Sequence, residues 1–132
     1  MGFSYIPSEA LSSFICTLCR VVNIEDYCQE AWRITSSLLA THLGHSAMFN
    51  LCQITQVKEN HNDVALVRGA IFFIGMSLWG SKSVKTMQIY SAMTILPTFV
   101  QALQCKHYLV TYEVTLQVCV SQIFELLTRS TS

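Results

Sequence analysis

The sequence of 132 residues is poor in charge, because charged side chains make up only 12% of it, against about 25% in a typical soluble domain. Eight basic and eight acidic residues cancel to a formal net charge of +0. This balance argues against a nucleic-acid partner, which requires a basic surface, and no acidic tail is present to attract a basic partner. Because so few charges cover a free-standing globule poorly, we expect much of the surface to be covered by further protein.

The sequence also lacks the common signatures of catalysis. It has no G-x-S-x-G nucleophile elbow and no glycine-rich phosphate loop. The adjacent carboxylates Glu25 and Asp26 open a predicted helix, where they suit the positive end of its dipole. Pairs of one cysteine and one histidine are common by chance in a chain with six cysteines and four histidines. We therefore predict no catalytic residue, no cofactor-binding residue and no cofactor.

No export signal or membrane span is evident. The start, MGFSYIPSEA, has neither the basic segment nor the apolar core of a signal peptide. Residues 34–57 are uncharged, but Thr35, His42 and Asn50 are among the side chains that make them too polar for lipid. The apolar run at 69–80 fits a buried core helix better. We expect a cytoplasmic protein without a transmembrane segment, in which the cysteines remain packed free thiols.

What the sequence does contain is helical periodicity, with apolar residues recurring every three or four positions. The predicted helices span 8–22, 25–42, 45–57, 64–79, 92–104 and 108–128. Each consecutive pair takes about 40 residues, the period of HEAT and armadillo repeats. The pattern predicts an all-α fold and leaves two architectures open, a HEAT/armadillo-like α-solenoid segment of about three helix pairs and an irregular helical bundle.

Single residues predict where several of these helices begin and end. Gly44 is placed to end the second helix in a left-handed conformation. Asp63 is a good N-cap for the fourth helix, which is apolar nearly all round and should be buried on several sides. Pro97 predicts a kink or a restart in the fifth helix.

The segment VTYEVTLQVCV at 110–120 fits two secondary structures. Its apolar and polar residues alternate, which is typical of a strand. A helical stripe also runs through the region, formed by Leu109, Tyr112, Leu116, Val120, Ile123 and Leu127. We predict a helix, because the segment is long for a strand and no other segment offers a strand to pair with it.

Cys16-x-x-Cys19 and His42-x-x-His45 together resemble a Cys2His2 metal site. Structural zinc cysteines usually lie in tight turns, whereas these two fall within the first predicted helix. The histidines straddle Gly44 and should leave a helix end in diverging directions. We predict no metal ligand here, and expect the histidines to satisfy free carbonyls at the end of the second helix. A small zinc-binding domain is the alternative, which a metal assay would distinguish.

Three further residues are predicted to be structural rather than ligand-binding. Arg68, at the head of the fourth helix, is expected to be a solvated or structurally paired charge, or to anchor a loop. Trp32 and Trp79 are expected in the core.

Five segments carry a resemblance to a known family. They are CRVVN, AWRITSSLLATHLGHSAMFNLC, LVRGAIFFIGMSLWG, ILPTFVQAL and VTYEV. In order and spacing they resemble the tuberin family over residues 19–125. The resemblance implies part of an N-terminal α-solenoid of HEAT-like repeats and favours the solenoid over the bundle. It also implies hamartin as a partner, and a cytoplasmic location that includes the lysosomal membrane surface as part of the complex.

The activity of that family does not carry over to any residue of this chain. Tuberin activates GTP hydrolysis by the small GTPase Rheb and thereby restrains the rapamycin-target kinase complex 1, but through a separate C-terminal domain that nothing here matches. The resemblance therefore implies a non-enzymatic scaffold segment, with Rheb reached only through the absent domain. The first 18 residues and the tail LLTRSTS match less well, which implies a truncated product or a partial gene model. An unrelated cytosolic helical-repeat binding module is the alternative.

The low charge content also predicts self-association of the isolated chain. Terminal repeats of a solenoid need polar outer faces, and neither end of this sequence offers one. The apolar residues concerned are Phe3, Tyr5 and Ile6 before the first helix, and Val114, Val118 and Phe124 on the last.

Overall fold

The computed structural model describes residues 7–79 and 92–121, and within them the chain is helical with no strand. The α-helices of this part of the chain are α1 (Ser8–Val21), α2 (Cys28–Leu39), α3 (Gly44–Gln56), α4 (Val64–Trp79), α5 (Ala92–Ala102) and α6 (Tyr108–Ser121). Short 3-10 helices at Glu25–Tyr27 and Lys58–Asn62 precede α2 and α4. The predicted all-α class is confirmed. None of the helices described is long and apolar enough to cross a membrane.

Helix α4 lies at the centre of the fold. It contacts α1, α3 and α6 most extensively and also touches α2 and α5. Its bounds are those predicted, and the expectation that it is buried on several sides is confirmed. Its fully buried side chains include Val67, Ile71, Phe73 and Ile74. The two helices of each predicted pair are also in contact with each other.

The first two helices both pack apolar side chains against the core. On α1, Leu11, Ile15 and Leu18 are buried. On α2, the ring of Trp32 packs against the core and stacks on Phe73, with ring centroids 6.3 Å apart and planes inclined by 24°. The prediction for Trp32 is confirmed, whereas the side chain of Trp79 lies outside the described part of the structure.

The connection between α2 and α3 differs from the prediction. Helix α2 ends at Leu39, and Gly44 is the first residue of α3 rather than the last turn of α2. The Thr41 hydroxyl donates to the Leu38 carbonyl at 2.6 Å and accepts from the Leu43 backbone N–H at 3.2 Å. The predicted helix end at Gly44 is therefore wrong, because this threonine closes the turn earlier.

Helix α5 also differs from its prediction. It continues from Ala92 to Ala102 with Pro97 inside it, so a restart at this proline is wrong. Pro97 is exposed. The predicted connection at 80–91 and the predicted last turns of the sixth helix at 122–128 lie outside the described residues.

Helix α6 confirms the helical prediction for 110–120, but its buried face is not the predicted stripe. Tyr112 and Leu116 from that stripe are 57% and 41% exposed, whereas Glu113 and Gln117 are 5% and 3% exposed. Glu113 forms an ion pair with Arg68 of α4, and Val110 and Val114 on the same side of α6 are buried as well. The face of α6 that meets the centre of the fold is therefore part polar and part apolar.

The same rotation of α6 changes one argument for self-association. Val114, predicted to contribute to an uncapped apolar end, is 1% exposed and belongs to the core. That part of the argument is wrong. The other residues named for it, namely Phe3, Tyr5, Ile6, Phe124 and the side chain of Val118, lie outside the described part of the structure.

The start of α4 is capped as predicted. Asp63 Oδ1 accepts from the Leu66 backbone N–H at 3.2 Å, and its Oδ2 accepts from Nη2 and Nε of Arg20 on α1 at 2.9 and 3.3 Å. Asp63 therefore serves both as an N-cap and as a link between α1 and α4. The Arg20 guanidinium holds the pKa of the Asp63 carboxyl below its usual value.

We expect the substitution Asp63→Asn to lower stability in a pH-dependent way. A depressed folded-state pKa contributes stability above the unfolded pKa of about 3.9, and this contribution is lost as the pH falls through the folded value. Since both side chains are well exposed, the loss at pH 7 should not exceed about 1 kcal/mol. Urea unfolding at pH 7 and near pH 2.5 measures it. Glu59→Gln is the control, and an Asp63→Asn deficit of equal size at both pH values would contradict the assignment.

Candidate functional site

Helix α1 crosses α4 at close range at Gly69. A Cβ atom built on Gly69 would lie 1.8 Å from the backbone carbonyl oxygen of Cys19. No side chain fits at that distance, and the obstacle is backbone that cannot rotate away. Gly69 is therefore required for α1 to reach the centre of the fold.

The side chain of Asn23 stabilises the same crossing of α1 over α4 through hydrogen bonds. Its side-chain Nδ2 donates to the Cys19 carbonyl oxygen at 2.9 Å, at the end of α1, and to the Ala65 carbonyl oxygen at 2.8 Å, in the first turn of α4. Together with the Arg20–Asp63 pair, it fixes where α1 ends relative to where α4 begins.

A second polar cluster joins α4 to α6. Arg68 Nε donates to Glu113 Oε1 at 3.2 Å, and Gln117 Nε2 donates to Glu113 Oε2 at 2.9 Å. The Glu113 side chain is 6% exposed and that of Arg68 is 36% exposed, so one end of the pair is desolvated while the other reaches solvent. The prediction that Arg68 is a structurally paired charge is confirmed.

Gln117 also packs against a second glycine of α4. A Cβ atom built on Gly75 would lie 2.0 Å from Gln117 Oε1. This oxygen is buried and accepts no hydrogen bond from the residues that the structure describes. Gln117 therefore occupies the space left by the missing side chain at Gly75, and its amide nitrogen completes the partners of Glu113.

A cavity of about 310 Å³ opens beside the Arg68–Glu113 pair, at the lower end of the range for ligand pockets. It is bounded by the α1–α2 connection on one side, by α4 below and by α6 on the other side. The side chains around it are Val22, Asn23, Glu25, Cys28, Arg68, Phe72, Glu113, Leu116 and Gln117. The cavity is therefore part apolar and part charged, and its described lining comes from three separate stretches of the chain.

The residues of the zinc alternative are not brought together. Cys16 and Cys19 lie on α1, whereas His42 precedes α3 and His45 lies in its first turn. Within residues 7–79 and 92–121, no three histidine, cysteine, aspartate or glutamate residues are grouped as metal ligands would be. The predicted role of the two histidines at the end of α2 stays a prediction.

The described cysteines are free thiols. Cys19, Cys52 and Cys105 are buried, while Cys16 and Cys28 are partly buried. Burial is the main cause that raises the pKa of the Cys19 and Cys52 thiols, so both remain protonated and unreactive. The expectation of packed free cysteines is confirmed for these five.

A comparison with known protein families assigns the chain. The family described as Domain of unknown function (DUF3384) matches residues 1–125. The chain belongs to the DUF3384 family. The match begins at residue 1, so it includes the first 18 residues, which the resemblance to tuberin covered less well. In this DUF3384 chain the crossing of α1 over α4, the polar cluster between α4 and α6, and the cavity all lie within the matched residues.

Three residues of the site were not singled out from the sequence, namely Asn23, Glu113 and Gln117. Asn23 belongs to no motif, and its partner Ala65 lies 42 positions away. A signal was available for Glu113, which is the only charged residue in the segment VTYEVTLQVCV. A lone carboxylate among apolar residues indicates a buried pair, but periodicity does not name the partner.

Proposed function

We propose that this DUF3384 chain is a segment of the helical scaffold of a tuberin-like protein, with no catalytic activity of its own. In this proposal the helix pairs α1/α2, α3/α4 and α5/α6 are consecutive HEAT/armadillo-like repeats of an α-solenoid, and hamartin is the partner that binds the scaffold. The contacts within each pair, and those of α3 with α5 and of α4 with α6, support stacked repeats. The extensive contact of α1 with α4 differs, because it joins the first helix of one pair to the second helix of the next.

One observation carries the proposal. Three of the five segments through which the chain resembles tuberin supply residues that join the helices. CRVVN supplies Cys19 and Asn23 to the crossing of α1 over α4, LVRGAIFFIGMSLWG supplies Arg68 and Gly69, and VTYEV supplies Glu113. Residue identities that serve helix-to-helix contacts support a scaffold role, because they fix the shape of the surface that a partner meets.

The proposed parent protein acts with hamartin in the cytoplasm, including the lysosomal membrane surface. There it promotes GTP hydrolysis by Rheb and so restrains the rapamycin-target kinase complex 1. In this proposal the catalytic asparagine of the GTPase-activating domain belongs to another part of the parent, and the DUF3384 segment contributes through hamartin.

Adding the purified chain to GTP-loaded Rheb should leave hydrolysis at its intrinsic rate, because the activating residues belong to a different domain. The measurement is single-turnover release of phosphate, with a tuberin C-terminal domain as positive control. A stimulation of tenfold or more, which corresponds to about 1.4 kcal/mol of activation barrier, would contradict the scaffold role.

A second candidate function is an unrelated helical-repeat module that binds another protein. The exposed large side chains of α6, with Tyr108 76% and Tyr112 57% exposed, favour protein binding in general without favouring hamartin. Capture of purified hamartin distinguishes the two candidates, since only the tuberin-like scaffold is expected to retain it.

A further inference from the structure

The cavity beside the Arg68–Glu113 pair is the inner part of a groove. Its floor is α4, where Phe72 offers an apolar surface and Arg68 a charged one. One wall is the α1–α2 connection with Cys28, and the other is α6 with Leu116. The floor is already fixed by the pairing of Arg68 with Glu113, so it presents a preformed recess rather than one that has to open.

An exposed apolar stripe leads along α6 to this recess. Tyr108, Tyr112 and Leu116 are four residues apart and lie on one side of the helix, with exposures of 76%, 57% and 41%. Leu116 belongs both to the stripe and to the cavity wall. In the α1–α2 connection, Ile24 and Tyr27 are 49% and 56% exposed, although neither is among the described residues that line the cavity. Large apolar and aromatic side chains exposed around a recess are typical of protein-binding sites.

The charges around the groove indicate which kind of partner fits it. Among the described residues that line the cavity, Arg68 is the only cation, and Glu113 already neutralises it. Glu25 also lines the cavity and is exposed, with Asp26 beside it, and neither forms an ion pair within the described residues. The groove therefore carries an excess of carboxylates, and a complementary partner brings a cation.

We propose that this groove docks a segment of a partner protein in which a large apolar side chain stands next to a lysine or arginine. The apolar side chain fills the recess over Phe72 between Cys28 and Leu116, and the basic side chain pairs with Glu25 at the rim. This inference rests on the proposed function in one respect, namely that the chain is an interaction segment, and it does not require that hamartin supplies the docking segment.

The test is selection from a random-peptide display library with the full immobilised chain as bait. The expected result is enrichment of peptides that share a large apolar residue and a neighbouring arginine or lysine. A synthetic copy of the most enriched peptide should bind in fluorescence polarisation and should protect Cys28 from alkylation by iodoacetamide. The substitution Glu25→Lys should weaken the binding of this peptide at least tenfold. A second peptide, with glutamate in place of the basic residue, should bind the Glu25→Lys chain with the original affinity.

Two further variants separate the groove from the rest of the surface. Leu116→Asp should abolish peptide binding, and circular dichroism shows whether this exposed position leaves the fold intact. Phe49→Ser, on α3, is the matched control because Phe49 is 54% exposed and takes no part in the cavity, and it should bind the peptide normally. If Leu116→Asp unfolds the chain, Glu25→Lys alone decides the outcome.

Several results would overturn the inference. Three of them are the absence of any enriched peptide, enrichment of acidic peptides, and peptide binding that Glu25→Lys leaves unchanged. The fourth is self-association that Leu116→Asp disrupts without any peptide binding, because the occupant of the groove would then be a second copy of the chain. Failure of the proposed function looks different. Hamartin capture without peptide binding defeats only this inference, whereas peptide binding without hamartin capture defeats only the hamartin assignment.

Discussion

Gly69→Ala should destabilise the chain by about 2 kcal/mol or more, although alanine is the better helix former by about 1 kcal/mol. The added Cβ would lie 1.8 Å from the Cys19 carbonyl oxygen, so α1 has to move away from α4. That movement also stretches the Asn23 hydrogen bonds to Cys19 and Ala65. Equilibrium urea unfolding followed by circular dichroism measures the change.

Gly75→Ala is the matched control in the same helix. Its obstacle is the Gln117 side chain rather than backbone, so the double variant Gly75→Ala/Gln117→Ala should recover most of the loss caused by Gly75→Ala. No second substitution is expected to rescue Gly69→Ala in this way. A Gly69→Ala protein as stable as the original chain would show that α1 does not cross α4 at this distance.

Arg68→Ala should destabilise the chain by about 3 kcal/mol, because it leaves the Glu113 carboxylate buried without its cation. Glu113→Ala should cost less, since the Arg68 side chain is 36% exposed and can be hydrated when its partner is removed. The order of the two variants is therefore part of the prediction. Thermal and urea unfolding of both variants and of the double variant measure the coupling between them.

Arg20→Ala is the control for the loss of an arginine. Its ion pair with Asp63 has side chains that are 50% and 40% exposed, so the loss should stay below about 1 kcal/mol. Equal effects of Arg68→Ala and Arg20→Ala would contradict the conclusion that Glu113 is a desolvated partner.

The helices were predictable because each carries a local signal that does not depend on the rest of the chain. Helix α4 is the clearest case, since Asp63 marks its start and its apolar residues continue to Trp79. Its central position also followed from the sequence, because a helix that is apolar nearly all round has to be buried on several sides.

The buried face of α6 was not predictable in the same way. The apolar stripe through Tyr112 and Leu116 was the better periodic signal, yet it faces outward. The face that is buried instead contains Val110, Val114 and Glu113, and Glu113 pairs with Arg68, 45 positions earlier in the chain. Hydrophobic periodicity carries no information about such a partner. The polar residues on the buried face of α6, and the cavity beside them, could therefore be identified only from the structure.

The end of α2 shows a similar limit of prediction from the sequence. Gly44 looked like a stop signal, but the hydroxyl of Thr41 closes the turn after α2 before the glycine is reached. Glycine and threonine are both common near helix ends, and the sequence does not say which of two neighbouring signals acts.

Co-expression with hamartin tests the central claim most directly. The account predicts that the isolated chain self-associates in sedimentation velocity, and that with hamartin it sediments and co-purifies as one defined complex. Gly69→Ala should prevent the complex, because the scaffold no longer holds its shape, while Phe49→Ser should not. A stable monomer that shows no association with hamartin would contradict the claim that this chain is a scaffold segment of a tuberin-like protein.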